Sequence, residues 1–257
     1  MFDLKGHIAL ITGASAGIGE ACALQMASAG ADLILAARRV DRLHKLQEEL
    51  TSKYGIRCHV GTLDVRERDN VMGFIANIPE DLTDISILVN NAGLASGLAS
   101  IAESDYDDWD RMIDTNIKGL LNMTREILPG MIERGKGHVI NIGSIAGRMP
   151  YPNGVVYCST KYAVRALTQG LLMDLIGTPI RVSTVDPGMV ETEFSEVRFH
   201  GDSARAKTVY EGLKPLEAGD IADAVVYVAS RPEHVNISEM VVLPKDQAST
   251  HHLNWRG

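Results

Sequence analysis

What most constrains this chain is a recurring alternation of short apolar runs, closed by turn residues, with segments whose apolar residues repeat at helical period. The runs are HIALIT from residue 7, DLILAA from 32, RCHVGTLDV from 57, ISILVNNAG from 85, HVINIGS from 138, IRVSTVDPG from 180 and EMVVLP from 239. Most are apolar at consecutive positions, so both faces of each strand need cover, as parallel strands between two helical layers do. Between them Leu43, Leu46 and Leu50 mark one helical stripe, and Val71, Phe74, Ile75 and Ile78 another. Seven strands alternating with helices predict an α/β fold with a doubly wound parallel sheet. No linker-like, low-complexity or long-period segment breaks the 257 residues, so a single domain, 1–257, is the economical reading.

Charge and cysteine usage exclude several functions. A net charge of −8 without a long Lys/Arg run disfavours nucleic acid as a partner. Cys22, Cys58 and Cys158 are widely spaced and odd in number, which suits free thiols in a reducing cytosol better than a disulfide framework or a metal site. Cys158 reads as a packing residue. The N-terminus enters an apolar strand almost at once, with no leader pattern, and no run approaches the roughly 20 apolar residues of a membrane span. A cytoplasmic protein without a membrane partner is expected.

In a doubly wound sheet, ligands bind beyond the carboxyl ends of the strands, so the loops there carry the candidate residues. After the first strand comes TGASAGIG, residues 12 to 19, followed by a helical pattern. Gly13, Gly17 and Gly19, with Ser15 and Ile18 between and beside them, allow a pyrophosphate to approach the start of that helix. The turn alone can be merely tight; its place between strand and helix is what points to a nucleotide. The second strand ends in Arg38 and Arg39, where an NAD enzyme would offer a carboxylate to the ribose. Guanidinium groups suit a 2′-phosphate, so NADP(H) is expected, the alternative being two solvated strand-end charges. Asp64 and Val65, then Asn90, Asn91, Ala92 and Gly93, then Pro187, Gly188, Val190 and Thr192 extend the same groove. Asp186 and Glu191 read as local caps or solvated charges. The connection from Met189 to about Gly219 is longer than a compact link requires and reads as a helical lid over 189–219.

The stretch YCSTKYAV sets Tyr157 and Lys161 four positions apart. On a helix these share a face, and an ammonium beside a phenol lowers its pKa from about 10 toward a useful range. An ordinary helix with a half-buried Tyr and a snorkelling Lys has the same spacing.

Taken together, TGASAGIG, NNAG, Asn116, Ser144, YCSTK and PGMVET, in this order and spacing, resemble the short-chain dehydrogenase/reductase family over almost the whole chain. The resemblance implies a Rossmann fold with strand order 3-2-1-4-5-6-7, a homotetramer, and catalytic positions at Asn116, Ser144, Tyr157 and Lys161. Tyr157 would be the acid–base group, Ser144 would hold the substrate oxygen, Lys161 would lower the Tyr157 pKa and bind the nicotinamide ribose, and Asn116 would support a proton-relay water. NIGSIAGRMPYP, PGMVETEFSEVRFHG and the tail QASTHH look more closely like the NADP-dependent 3-hydroxy acid dehydrogenases, which oxidise serine, allo-threonine and related acids. That likeness implies a small 3-hydroxy acid as substrate.

A 3-hydroxy acid brings a carboxylate that needs a cation or several N–H donors. Arg148, just beyond Ser144, and Arg198, in the lid, are the candidates, because a guanidinium grips a carboxylate with two parallel bonds. Both can equally be exposed loop charges. The rival readings are an NADPH-dependent reductase of neutral carbonyls or carrier-bound 3-oxoacyl chains, and a non-catalytic NADP(H) sensor.

Overall fold

The computed structural model describes residues 3–255. Its first third runs β1 (Ile8–Thr12), α1 (Gly17–Ser28), β2 (Asp32–Ala37), α2 (Val40–Tyr54), β3 (Cys58–Thr62), α3 (Arg68–Ala76) and β4 (Ile87–Asn90). Then come α4 (Tyr106–Ile113), α5 (Leu120–Arg134), β5 (Gly137–Ile142), α6 (Val155–Asp174) and β6 (Ile180–Pro187). The last part is β7 (Val190–Glu191), α7 (Phe194–Arg198), α8 (Ser203–Thr208), β8 (Leu216–Glu217), α9 (Ala218–Ala229) and β9 (Glu239–Val242). All seven apolar runs are strands. They pair in parallel in the order β3-β2-β1-β4-β5-β6-β9, which makes this a Rossmann-like sheet.

Alternate residues of each central strand feed opposite layers, which is why the runs are apolar throughout. Ala9, Ile11, Leu33, Leu35, Ile87 and Val89 pack with Cys22 and Met26 of α1, Leu43, Leu46 and Leu50 of α2, and Ile221 and Val225 of α9. Leu10, Ile34, Leu88, Val139 and Val182 face the other way, onto Val71 and Phe74 of α3 and Met123, Ile127 and Met131 of α5. Each fully buried Leu or Ile contributes about 1.5–3 kcal/mol, so the two layers hold the sheet edge that carries the site.

Three local features position that site. Between α4 and α5, residues Asp114–Gly119 form a π-helical turn that carries Asn116 into the interior, a distortion often found where a helix serves a site. The 189–219 connection begins and ends on a two-stranded ladder, Val190 opposite Leu216 and Glu191 opposite Glu217, with α7 and α8 between, so it holds two short helices. The tail folds back instead of fraying: Gln247 bridges to Leu253, and His251 Nε2 contacts the Pro150 carbonyl at 2.7 Å. No helix among the described residues is long and apolar enough to cross a membrane.

Candidate active site

The carboxyl ends of the central strands open into one cleft of about 550 Å³. Its floor begins at the glycine turn. Gly13 has φ of +66°, and a Cβ there would lie 2.9 Å from Asn91 Nδ2, while one on Gly19 would lie 2.4 Å from the Gly13 carbonyl oxygen. Asn91 explains the tightness. Its Nδ2 donates to the carbonyls of Thr12 at 2.9 Å and Gly13 at 3.2 Å, and the Thr12 hydroxyl oxygen accepts from the amides of Asn91 and Ala92. This stapling draws the β1 and β4 loops together and leaves room for backbone to meet a ligand. The first turn of α1 has no side-chain cap, so its amides are open to an anion. A pyrophosphate-bearing dinucleotide fits this cradle.

Gly13, Ser15, Gly17, Ile18, Arg38, Arg39, Asp64, Val65, Asn91, Ala92 and Gly93 all line the cleft, as do Pro187, Gly188, Val190 and Thr192. Gly19 lies behind it and serves close packing. Arg38 makes no side-chain hydrogen bond or ion pair among the described residues, whereas Arg39 reaches Ser15 Oγ at 3.3 Å and Glu193 Oε2 at 2.8 Å. The Asp64 carboxyl is held below its ordinary value by the Arg66 guanidinium, bonded at 2.6 Å.

The helix α6 presents Tyr157 and Lys161 together, both buried and both lining the cleft with Ser144. Their coupling differs from the one expected from spacing. Lys161 Nζ lies 6.0 Å from the Tyr157 ring centre and donates to the Ile142 carbonyl at 2.9 Å; burial pulls its pKa down to about 8. Burial pushes the Tyr157 phenol up, and the groups that pull it back are Arg198, by charge, and Ser144, by hydrogen bonding. A buried phenol therefore feels desolvation first. Asn116 lies outside the cleft lining: its Oδ1 accepts from Leu94 N at 2.9 Å, and its Nδ2 donates to Leu94 O at 2.8 Å and Thr160 Oγ1 at 3.0 Å. Its side chain shapes the loop after β4.

The two candidate arginines part company. Arg148 does not line the cleft. Its guanidinium is held by Asp186 Oδ2 at 2.7 Å and Glu239 Oε2 at 2.5 Å, because β6 and β9 bring those carboxylates to it. Asp186 is correspondingly a buried partner, 2% exposed, and not a solvated charge. Arg198 does enter the cleft. Its guanidinium carbon lies 5.4 Å from the Tyr157 ring centre and 5.5 Å from that of Tyr151, whose hydroxyl accepts from Nη2. Its Nε is buried without a hydrogen-bond partner among the described residues. Phe194 meets Tyr157 edge-on at 5.7 Å.

Tyr151, Phe194, Tyr210, Gln247 and Thr250 also line the cleft. No periodicity or spacing singled them out, although Tyr151 falls within NIGSIAGRMPYP, Phe194 within PGMVETEFSEVRFHG, and Gln247 and Thr250 within QASTHH. Gln247 Oε1 accepts from Met189 N at 2.9 Å, tying the tail to the start of the 189–219 connection. Cys158 is packed among Leu94, Ala146 and Tyr157, and burial pushes Cys22 and Cys58 up to about 12, which leaves those thiols unreactive.

The profile of the family described as short chain dehydrogenase matches residues 7–202. The chain belongs to the short-chain dehydrogenase family. This short-chain dehydrogenase is 44% identical over 254 residues to the NADP-dependent 3-hydroxy acid dehydrogenase of Schizosaccharomyces pombe, covering 98% of each chain. It is 46% identical over 242 residues to sulfoacetaldehyde reductase 2 of Chromohalobacter salexigens, covering 94% of this chain and 95% of that one. Among solved structures, it superposes on the closed form of serine dehydrogenase complexed with NADP+ with a TM-score of 0.91 and 43% identity, over 97% of this chain and 100% of that one.

Proposed function

We propose that this short-chain dehydrogenase is an NADP-dependent oxidoreductase that interconverts small 3-hydroxy acids and 3-oxo acids, of the serine, allo-threonine, 3-hydroxypropionate or 3-hydroxyisobutyrate type. The observation that carries the substrate class is the Arg198 guanidinium beside the Tyr157 ring, with a buried Nε that has no hydrogen-bond partner among the described residues. A cation in that position suits an anionic group near the reacting carbon. The relatives' names agree with this chemistry: a 3-oxo acid and sulfoacetaldehyde each carry an anion one methylene from the carbonyl.

For the cofactor, Arg38 and Arg39 at the end of β2 would hold the 2′-phosphate, the uncapped start of α1 the pyrophosphate, and Lys161 the nicotinamide ribose. The chemistry supplied by NADP(H) when bound is hydride exchange at the nicotinamide. Tyr157 holds the proton that moves between the phenol and the substrate oxygen. Its raised pKa keeps it protonated near neutrality, which equips it directly as the acid of the reductive direction. Ser144 orients the same oxygen, and Asn116 is a positioning residue acting through the Leu94 backbone and Thr160. Arg198 with Tyr151 would grip the carboxylate, and the 189–219 connection would act as the lid that carries Arg198. Serine oxidised at C3 gives a 3-oxo acid, which loses carbon dioxide without a dedicated residue.

Free thiols at Cys22, Cys58 and Cys158 support a reducing, cytoplasmic setting. Exposed Ile113, Leu121, Val155, Tyr162 and Met173 on α4, α5 and α6 support assembly, for which we propose a homotetramer. The test of the function is NADPH formation from NADP⁺ with the four acids, 2-hydroxyethanesulfonate and neutral alcohols of matched skeleton. Turnover confined to the anions supports the reading. Equal or exclusive turnover of the alcohols reduces it to a general carbonyl reductase.

A further inference from the structure

Glu193 immediately precedes α7 and bridges two arginines of the cofactor side. Its Oε2 lies 2.8 Å from Arg39 Nη1 and its Oε1 2.7 Å from Arg42 Nη1. All three side chains are substantially exposed, so the bridge adds little to stability; what it does is join the end of β2 to the segment over Tyr157. Phe194 and Arg198 follow on the same short helix, and both touch the Tyr157 ring. A shift of Glu193 is therefore a shift of the cation beside the reacting phenol.

Arg39 cannot serve this bridge and grip a phosphate in full. A guanidinium holds an oxyanion bidentately through Nη1 with Nη2 or through Nε with Nη2. Nη1 is engaged by Glu193 and Nε by Ser15 Oγ, so each gripping edge already has one member in use. We infer that Glu193 competes with the cofactor's 2′-phosphate for Arg39, so that residues 190–198 respond to the phosphate. This rests on the NADP reading above. A phosphate dianion on Arg38 and Arg39 displaces the Glu193 carboxylate, which stays with Arg42 or moves out. An unphosphorylated adenosine ribose brings no charge and leaves the bridge in place. Glu193 thus becomes a specificity-determining residue whose effect reaches the substrate end.

The test uses the full-length protein with adenosine 2′,5′-bisphosphate and adenosine 5′-monophosphate as probes. Calorimetry gives their affinities, and hydrogen exchange read by mass spectrometry reports on peptides covering 190–198. In the wild type the bisphosphate speeds exchange in 190–198 and the monophosphate does not. In Glu193→Gln exchange there is already fast, the bisphosphate adds nothing, and the bisphosphate binds up to about fivefold tighter, the range an exposed ion pair spans. If the bisphosphate binds no tighter than the monophosphate to the wild type, the NADP reading falls and the competition with it. Tighter bisphosphate binding with unchanged exchange at 190–198, or the same response in Glu193→Gln, overturns the competition alone.

Discussion

The Arg198 guanidinium carbon lies 5.4 Å from the centre of the Tyr157 ring. This contact joins a residue of the 189–219 connection to the one phenol that α6 buries beside Ser144. Tyr157→Phe keeps the ring that meets Phe194 and Arg198 but removes the proton. It is expected to lower kcat by at least about 10²-fold, the scale of a lost general acid–base group, while the dissociation constant for NADPH stays within about twofold by fluorescence titration. Turnover above a tenth of wild type, as an order-of-magnitude threshold, would put the proton on another group.

The two directions of reaction should depend on pH differently. Burial raises the Tyr157 phenol above its ordinary value, so the protonated form dominates at neutrality and the base form grows only as pH rises. Oxidation of a 3-hydroxy acid is expected to accelerate from about pH 7 to about pH 10, while reduction of the 3-oxo acid is level between about pH 6 and about pH 8. Lys161, pulled down to about 8, titrates inside the same window. Lys161→Arg keeps its charge throughout, and a rise that persists in this variant belongs to Tyr157. An oxidation rate already level at pH 7 would contradict the raised phenol.

Arg148 is expected to govern stability and not substrate binding. Asp186 is 2% exposed and depends on the Arg148 guanidinium. Arg148→Met removes the guanidinium from that buried carboxylate and leaves it the Thr184 hydroxyl, 2.7 Å from Oδ1, a loss of about 3 kcal/mol, visible as a lower midpoint in urea unfolding. The Michaelis constant for a 3-hydroxy acid should stay within about twofold, since the guanidinium faces away from the cleft. A rise of tenfold or more in that constant, with normal stability, would return Arg148 to the substrate site.

Those two arginines mark the boundary of what was legible. Strand positions, the glycine turn and the Tyr157–Lys161 face follow from local periodicity, because α6 and the β1–α1 turn are set by neighbours in sequence. Arg148 and Arg198 looked alike as loop cations; only the pairing of β6 with β9 brings Asp186 and Glu239 to one and leaves the other beside Tyr157. Desolvation of Tyr157 was equally hidden, since Tyr151 and Phe194 come from segments 6 and 37 positions away in the chain. The tail's contribution through Gln247 depends on a fold-back that no local pattern encodes.

At the opposite edge of the sheet, His138 is buried with Nε2 2.7 Å from Ser183 Oγ, and His7 Nδ1 lies 3.0 Å from Ser86 Oγ. Burial lowers both pKa values, that of His138 well below the ordinary range. The unfolded chain thus binds more protons below about pH 6.5, so the neutral-histidine stability is complete above that pH and declines as pH falls. Urea unfolding at pH 7.5 and at pH 5 measures it, and His138→Gln should flatten the slope. An unchanged slope in that variant would assign the acid sensitivity elsewhere.

The most direct measurement of the central claim compares kcat/KM for 3-hydroxypropionate and for its neutral analogue 3-hydroxypropionamide in the wild type and in Arg198→Met. Removing one partner of a desolvated charge pair costs about 2–5 kcal/mol. The acid should therefore lose about 10²-fold or more relative to the amide, whose own loss reports the effect of the Arg198 charge on the Tyr157 phenol. Equal losses on the two substrates, or an acid rate that survives Arg198→Met, would contradict a carboxylate held by Arg198 beside Tyr157.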